Sequence, residues 1–252
     1  MVQTMIQVEL SMDEFAYDVR SLIQAFYPGK KLVFLDKNQV KKEKAVLKEE
    51  IELKVSIKYG DHDIFLSFCK KEVPSLEKYE RIKYDSDTGN IEPLKGKLNL
   101  TTEQRKIYKN HLKRLLYTML SELTGKTLPW GTLTGIRPTK IPMKMIEEHY
   151  EVPDIKKRMT EEYLCTDEKA DLCVDIAGKE YGILKEIDYK NGYSIYIGIP
   201  FCPTTCLYCS FTSYSVEKYK DQVEAYLEAL FKEIDFISLR VHNKRLVTVY
   251  IG

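Results

Sequence analysis

Residues 193–252 carry a pattern that few folds accommodate. A strongly apolar strand (193–199) leads into a loop with three cysteines in eight positions. A helix at about 216–240 follows, with Val223, Tyr226, Leu227, Leu230, Ile234 and Ile237 on one side, and then a second apolar strand at 246–251. Strand, long helix and strand in this order form a βαβ unit, which closes right-handed and sets its strands parallel. Two parallel strands cannot cover their own faces, because such sheets are buried on both sides. The chain ends at Gly252, directly after the second strand. It is therefore expected to be an N-terminal fragment cut inside an α/β barrel, inactive alone because most of the barrel is missing.

Upstream, residues 1–100 read as a small α/β accessory unit. A strand at 6–10 precedes Ser11, taken as a helix N-cap with Glu14 three residues on. Phe15, Val19, Leu22, Ile23 and Phe26 then recur at helical spacing until Pro28-Gly29. The period changes at 32–35, 51–57 and 64–66, which read as strands, the last two separated by a Tyr59-Gly60-Asp61 turn. The lysine-rich stretch 41–48 reads as a solvated face. Residues 101–190 read as a mostly helical accessory region. Its first helix starts at Thr101 or Thr102 and carries Ile107, His111, Leu115, Met119 and Leu123 up to Gly125. Helices at 139–150, 153–164 and 167–187 follow, the last aiming Leu172, Ile176, Ile183 and Leu184 at a common core. A polar turn, Tyr189-Lys190-Asn191-Gly192, marks the boundary to a third domain, 191–252.

Whether the cysteines are bridges or ligands depends on compartment. No run approaches the ~18 apolar residues of a membrane span, and the N-terminus lacks the charged-then-apolar order of a signal peptide. A cytoplasmic protein is expected, in a reducing medium where clustered cysteines are metal ligands. Cys165 and Cys173 are isolated and read as buried small hydrophobes. With 39 basic against 38 acidic side chains there is no electrostatic footprint of a nucleic-acid partner.

Cys202, Cys206 and Cys209 are spaced C-x3-C-x2-C. Three thiolates on one loop can hold three irons of a [4Fe–4S] cube, whereas full ligation takes four cysteines. The open iron can be chelated by the amino and carboxylate groups of S-adenosylmethionine (SAM). Reductive C–S cleavage then gives a 5′-deoxyadenosyl radical, and the protein contributes ligation, orientation and exclusion of water. The alternative is a structural zinc site, for which neither Cys165, Cys173 nor His242 offers a second ligand pair at a typical offset.

These residues resemble a known family. The C-x3-C-x-aromatic-C pattern at the end of a first strand is that of radical SAM enzymes. Tyr-Ile-Gly-Ile-Pro-Phe-Cys (196–202) resembles the opening of the oxygen-independent coproporphyrinogen III oxidase branch. Cys-Pro-Thr-Thr-Cys-Leu-Tyr-Cys-Ser-Phe-Thr-Ser-Tyr (202–214), behind a long region containing Leu133-Thr134-Gly135-Ile136-Arg137-Pro138, is similar to HemZ-type (coproporphyrinogen dehydrogenase-like) proteins. Val249-Tyr250-Ile251-Gly252 resembles the start of that branch's Tyr-x-Gly-Gly-Gly-Thr-Pro segment.

The resemblance implies an α/β fold in which the accessory region precedes the first βαβ of a truncated radical SAM (β/α) partial barrel. It implies that Cys202, Cys206 and Cys209 bind a [4Fe–4S] cluster, that Tyr208 packs near the SAM adenine, that Tyr196 lies near cluster and SAM, and that Gly252 opens the segment contacting the SAM amino group. The implied activity is an oxidoreductase of heme (porphyrin) biosynthesis that decarboxylates coproporphyrinogen III oxidatively to protoporphyrinogen IX, with an electron donor such as flavodoxin or ferredoxin. Two positions depart from the oxidase pattern: Gly198 replaces a histidine, and Phe211 replaces an extra cysteine. The same branch contains heme-transferring chaperones without decarboxylase activity, so a porphyrinogen or heme-type molecule is the expected partner. Gly135 to Lys140 reads as a helix start or as an anion contact through Arg137. His111 and His62 are read as structural.

Overall fold

Alternating apolar residues build the first sheet. Thr4–Leu10 (β1) pairs in parallel with both Lys31–Leu35 (β2) and Glu50–Tyr59 (β3). Asp63–Lys70 (β4) returns antiparallel across the expected turn, and Val73–Arg81 (β5) adds an antiparallel edge, giving the order β2-β1-β3-β4-β5. The structure, a computed structural model, describes residues 4–35, 50–70, 73–83, 98, 100–135, 137–188 and 191–252. The lysine-rich stretch 41–48, Ile136 and the boundary residues 189–190 lie outside these. The chain divides into two compact units, 1–178 and 179–252.

In the first unit, Leu53, Val55, Ile57, Ile64, Leu66 and Phe68 present one buried face of the sheet. Ala16–Phe26 (α1) covers it with Val19, Leu22, Ile23 and Phe26, the stripe its spacing predicts. The cap differs from expectation. The Ser11 hydroxyl accepts from the Tyr59 amide at 2.9 Å and its own amide donates to the Ile57 carbonyl at 2.9 Å, so Ser11 extends the β1–β3 pairing. Helix α1 is entered through Phe15 at φ 60 with no side-chain cap, and Glu14 instead accepts from the Leu98 amide and from Arg105.

Thr102–Thr124 (α2) opens on a reciprocal capping box between Thr101 and Gln104 and ends at Gly125 in the left-handed conformation. It packs on the same core as the sheet. Its buried face is Tyr108, Leu112, Leu116, Tyr117, Met119 and Leu120; of the expected stripe Met119 is buried, Leu115 and Leu123 pack half-buried against the core, and Ile107 is exposed. Tyr108 draws the helix round, because its ring stacks on Phe15 at 5.8 Å while its hydroxyl donates to the Asp63 carbonyl at 2.9 Å. A polar-tipped tyrosine thus outranks an aliphatic neighbour as the anchor. His111 lies half-exposed and pairs with Glu80.

Lys140–Glu147 (α3), Val152–Glu161 (α4) and Asp167–Leu184 (α5) form smaller cores around Met159, Cys165 and Cys173, and around Met145, Ile155 and Val174. The side of α5 expected to be buried is the exposed one: Leu172, Ile176 and Ile183 face solvent, while Ala170, Cys173, Val174 and Ala177 are buried. Small residues permit close approach of neighbouring backbone, which bulky ones at 172 and 176 would prevent.

In the second unit, Tyr193–Ile197 (β6) pairs in parallel with Leu246–Ile251 (β9), and Phe201–Cys202 (β7) with Tyr214–Ser215 (β8). Val223–Arg240 (α6) precedes β9 and is entered through a 3₁₀ turn at Lys220–Gln222, so it begins later than the expected start near Val216, whose amide donates to the Cys202 carbonyl instead. The predicted stripe from Val223 to Ile237 holds the half-buried positions of α6, yet none of the unit's described residues is fully buried. The chain is thus mixed α/β, with a parallel βαβ unit around the cysteine loop.

Gly29 and Gly131 both have positive φ, but only at Gly131 would a Cβ meet backbone, 2.1 Å from the Tyr163 carbonyl oxygen. Gly131→Ala is expected to lower stability by more than about 2 kcal/mol and Gly29→Ala by only about 1 kcal/mol, as read by urea unfolding. Equal costs would contradict this packing.

Candidate functional site

The cysteine loop is held at both ends. The Tyr214 amide donates to the Pro200 carbonyl at 2.7 Å and the Val216 amide to the Cys202 carbonyl at 3.0 Å, closing residues 203–213 into a loop beyond the β7–β8 pair. Inside it the Cys209 amide donates to the Cys206 carbonyl at 2.9 Å, forming a tight turn. Gly252 prolongs the β6–β9 ladder: its amide donates to the Ile197 carbonyl at 3.0 Å and its carbonyl accepts from the Ile199 amide at 2.7 Å. Both chain segments leaving the carboxyl ends of β6 and β9 therefore run beside each other, where α/β sheets place their ligands.

A cavity of about 930 Å³ lies at this point. Cys202, Cys209, Tyr196 and Gly252 line it together with Gly198 and Phe211, and none of its lining side chains is charged. Cys206 and Tyr208 are not among the lining residues; Cys206 is exposed and Tyr208 is 89% exposed. Among the described residues no three His, Cys, Asp or Glu side chains are gathered so that they could hold a metal ion. The donor chemistry nevertheless fits a loop-borne cluster, since Cys206 and Cys209 lie in the closed loop, Cys202 stands on the strand that enters it, and Cys202 and Cys209 share one cavity wall. Cys206 sits on a turn beside Leu207 and Tyr208, which nothing buries, so no packing opposes its turning inward.

Sequence reasoning gave no site role to Tyr250 and Tyr226, which also line the cavity. Tyr250 is the register partner of Tyr196, and their rings stack at 5.2 Å and 13°. Parallel register carries that signal, since matching positions on the two strands share a face. Tyr226, expected only as part of an apolar stripe, also reaches the cavity.

The remaining candidates fall elsewhere. Burial pushes the Cys165 thiol up to about 11, with the neighbouring Cys173 adding to the effect, and burial raises Cys173 as well. Both stay protonated at neutral pH, as packed hydrophobes do, and Cys165 donates to the Trp130 carbonyl at 3.4 Å. Pro138 and Thr139 form the turn from which Lys140 opens α3, so this segment is a helix start. His242 hydrogen-bonds the Leu239 carbonyl at 2.9 Å. No described helix is long and apolar enough to cross a membrane.

The sequence is 35% identical over 153 residues to the oxygen-independent coproporphyrinogen-III oxidase-like protein HemZ of Bacillus subtilis (strain 168), a match covering 60% of this chain and 30% of that protein. Over that stretch the chain is similar to HemZ. The matched stretch spans under a third of the HemZ length. No protein-family model matches the chain, and no solved structure matches it.

In metal-free native protein, iodoacetamide at pH 8 is expected to modify exposed Cys206 rapidly, and Cys165 and Cys173 only after denaturation. Peptide mass spectrometry over time measures this; native labelling of Cys165 as fast as Cys206 would contradict the assigned burial.

Proposed function

We propose that the chain carries the cluster site of a radical SAM oxidoreductase of porphyrin biosynthesis, with the second unit as the opening of a (β/α) partial barrel. The observation that carries this reading is the shared cavity: two motif cysteines, Tyr196 and Gly252 border one uncharged space at the carboxyl ends of two parallel strands. The kinship with HemZ, a protein named coproporphyrinogen-III oxidase-like, supports the same class. Cys202, Cys206 and Cys209 would ligate a [4Fe–4S] cluster, leaving one iron for SAM. That pair supplies one-electron reductive cleavage of the sulfonium C–S bond.

The chain's own residues do the rest. Gly252 offers a backbone surface without a side chain, where a Cβ would already meet the Tyr250 ring at 2.7 Å. Tyr196 and Tyr250 wall the space with stacked rings. Tyr208, exposed on the cysteine loop, is free to cover the adenine as the loop closes. In this reading the substrate is coproporphyrinogen III, two of whose propionates would each become a vinyl group by giving a hydrogen atom to the SAM-derived 5′-deoxyadenosyl group, releasing carbon dioxide and passing one electron to an external acceptor, while a flavodoxin or ferredoxin supplies the electron that cleaves SAM. The heme-transfer alternative keeps the same site and binds a heme-type molecule without turnover.

Anaerobic iron–sulfide reconstitution of the natural-length protein tests the assignment. A reduced [4Fe–4S] EPR signal that changes on adding SAM is expected, with loss of more than about 90% of the signal in Cys206→Ala. A colourless protein holding stoichiometric zinc would overturn it.

A further inference from the structure

The wall of the cavity between β6 and the first cysteine is the segment 198–202. Its weak point is Gly198, which has no side chain to anchor it and wide backbone freedom. The Gly252 backbone holds the residues on either side, through the Ile197 carbonyl and the Ile199 amide. The Gly198 carbonyl is left to a different partner: the Tyr226 hydroxyl, from the first half of α6, donates to it. The Tyr226 ring also meets Phe201, the residue before Cys202, edge-on at 5.4 Å and 80°. One side chain thus grips the segment at both ends. It lines the cavity described above and a second one of about 760 Å³ beyond Phe201, so it stands as the partition between them.

We propose that Tyr226 is a positioning residue for the candidate cluster site: its hydroxyl on the Gly198 carbonyl and its ring on Phe201 hold the 198–202 segment so that the Cys202 thiol and the SAM-facing backbone keep one arrangement. The proposal rests on the function read above, and extends it to a helix residue outside the motif. A segment held this way needs little reorganisation of its own on ligand binding, which is what supporting contacts behind a binding shell provide. A neutral hydrogen bond of this kind contributes about 0.5–1.5 kcal/mol, equivalent to roughly a three- to tenfold effect in an equilibrium.

Tyr226→Phe removes the hydroxyl and keeps the ring; Tyr226→Leu removes both contacts. The first readout needs no cluster. In metal-free natural-length protein, iodoacetamide labelling of Cys202, scaled to Cys206 in the same sample, is expected to speed up about three- to tenfold in Tyr226→Phe and further in Tyr226→Leu, with the Tyr226→Phe melting temperature lowered by no more than about 5 °C. The second uses reconstituted protein. Iron content is expected to match wild type while the SAM concentration that half-converts the EPR signal rises about three- to tenfold in Tyr226→Phe. Unchanged Cys202 labelling in Tyr226→Phe overturns the positioning role, whether or not a cluster assembles. A wild-type protein that binds no cluster overturns the functional reading alone, because the labelling comparison still stands.

Discussion

Parallel pairing of β6 with β9 governs the rest of the second unit. The register that sets Tyr196 against Tyr250 and Ile197 against Ile251 also brings the Gly252 backbone beside Ile197 and Ile199. Without that ladder the segment leading to Cys202 would have no fixed edge, and the cavity would have no second wall. Helix α6 contributes through Tyr226, whose hydroxyl reaches the Gly198 carbonyl. The cysteine loop hangs from this frame by the two short strands at its ends.

The first unit is organised by a different contact. Phe15, Tyr59 and Tyr108 meet where α1, the sheet and α2 converge, with centroid separations of 5.8 to 6.4 Å. Burial holds the Tyr59 hydroxyl protonated far above the ordinary tyrosine range. This aromatic junction explains why α2 turns Tyr108 inward and leaves Ile107 exposed.

Elements with one strong period were legible. The α1 stripe, the β3–β4 hairpin and the α6 stripe follow from spacing alone, because in each the apolar residues recur on the less exposed face. Three features were not. The edge strand β5, Val-Pro-Ser-Leu-Glu-Lys-Tyr-Glu-Arg, is polar at most positions, and among its described side chains only Leu76 packs on the core. Helix α5 buries small residues, and counting bulky ones pointed to the wrong side. Ser11 looked like a cap because its spacing to Glu14 fits, but the strand pairing of its backbone won. At the site, the motif brought out Cys202 and Cys209 directly. Tyr250 and Tyr226 emerge only once strands are paired and the helix is laid against them, which is tertiary information.

The central claim is that the cysteine loop and its cavity form a site for reductive cleavage of SAM. The most direct measurement is anaerobic incubation of reconstituted natural-length protein with dithionite and SAM, with 5′-deoxyadenosine quantified by mass spectrometry. The account predicts 5′-deoxyadenosine and methionine in equal amounts, dependent on reductant and absent in Cys202→Ala. Cluster-loaded protein that leaves SAM intact under strong reduction would contradict it.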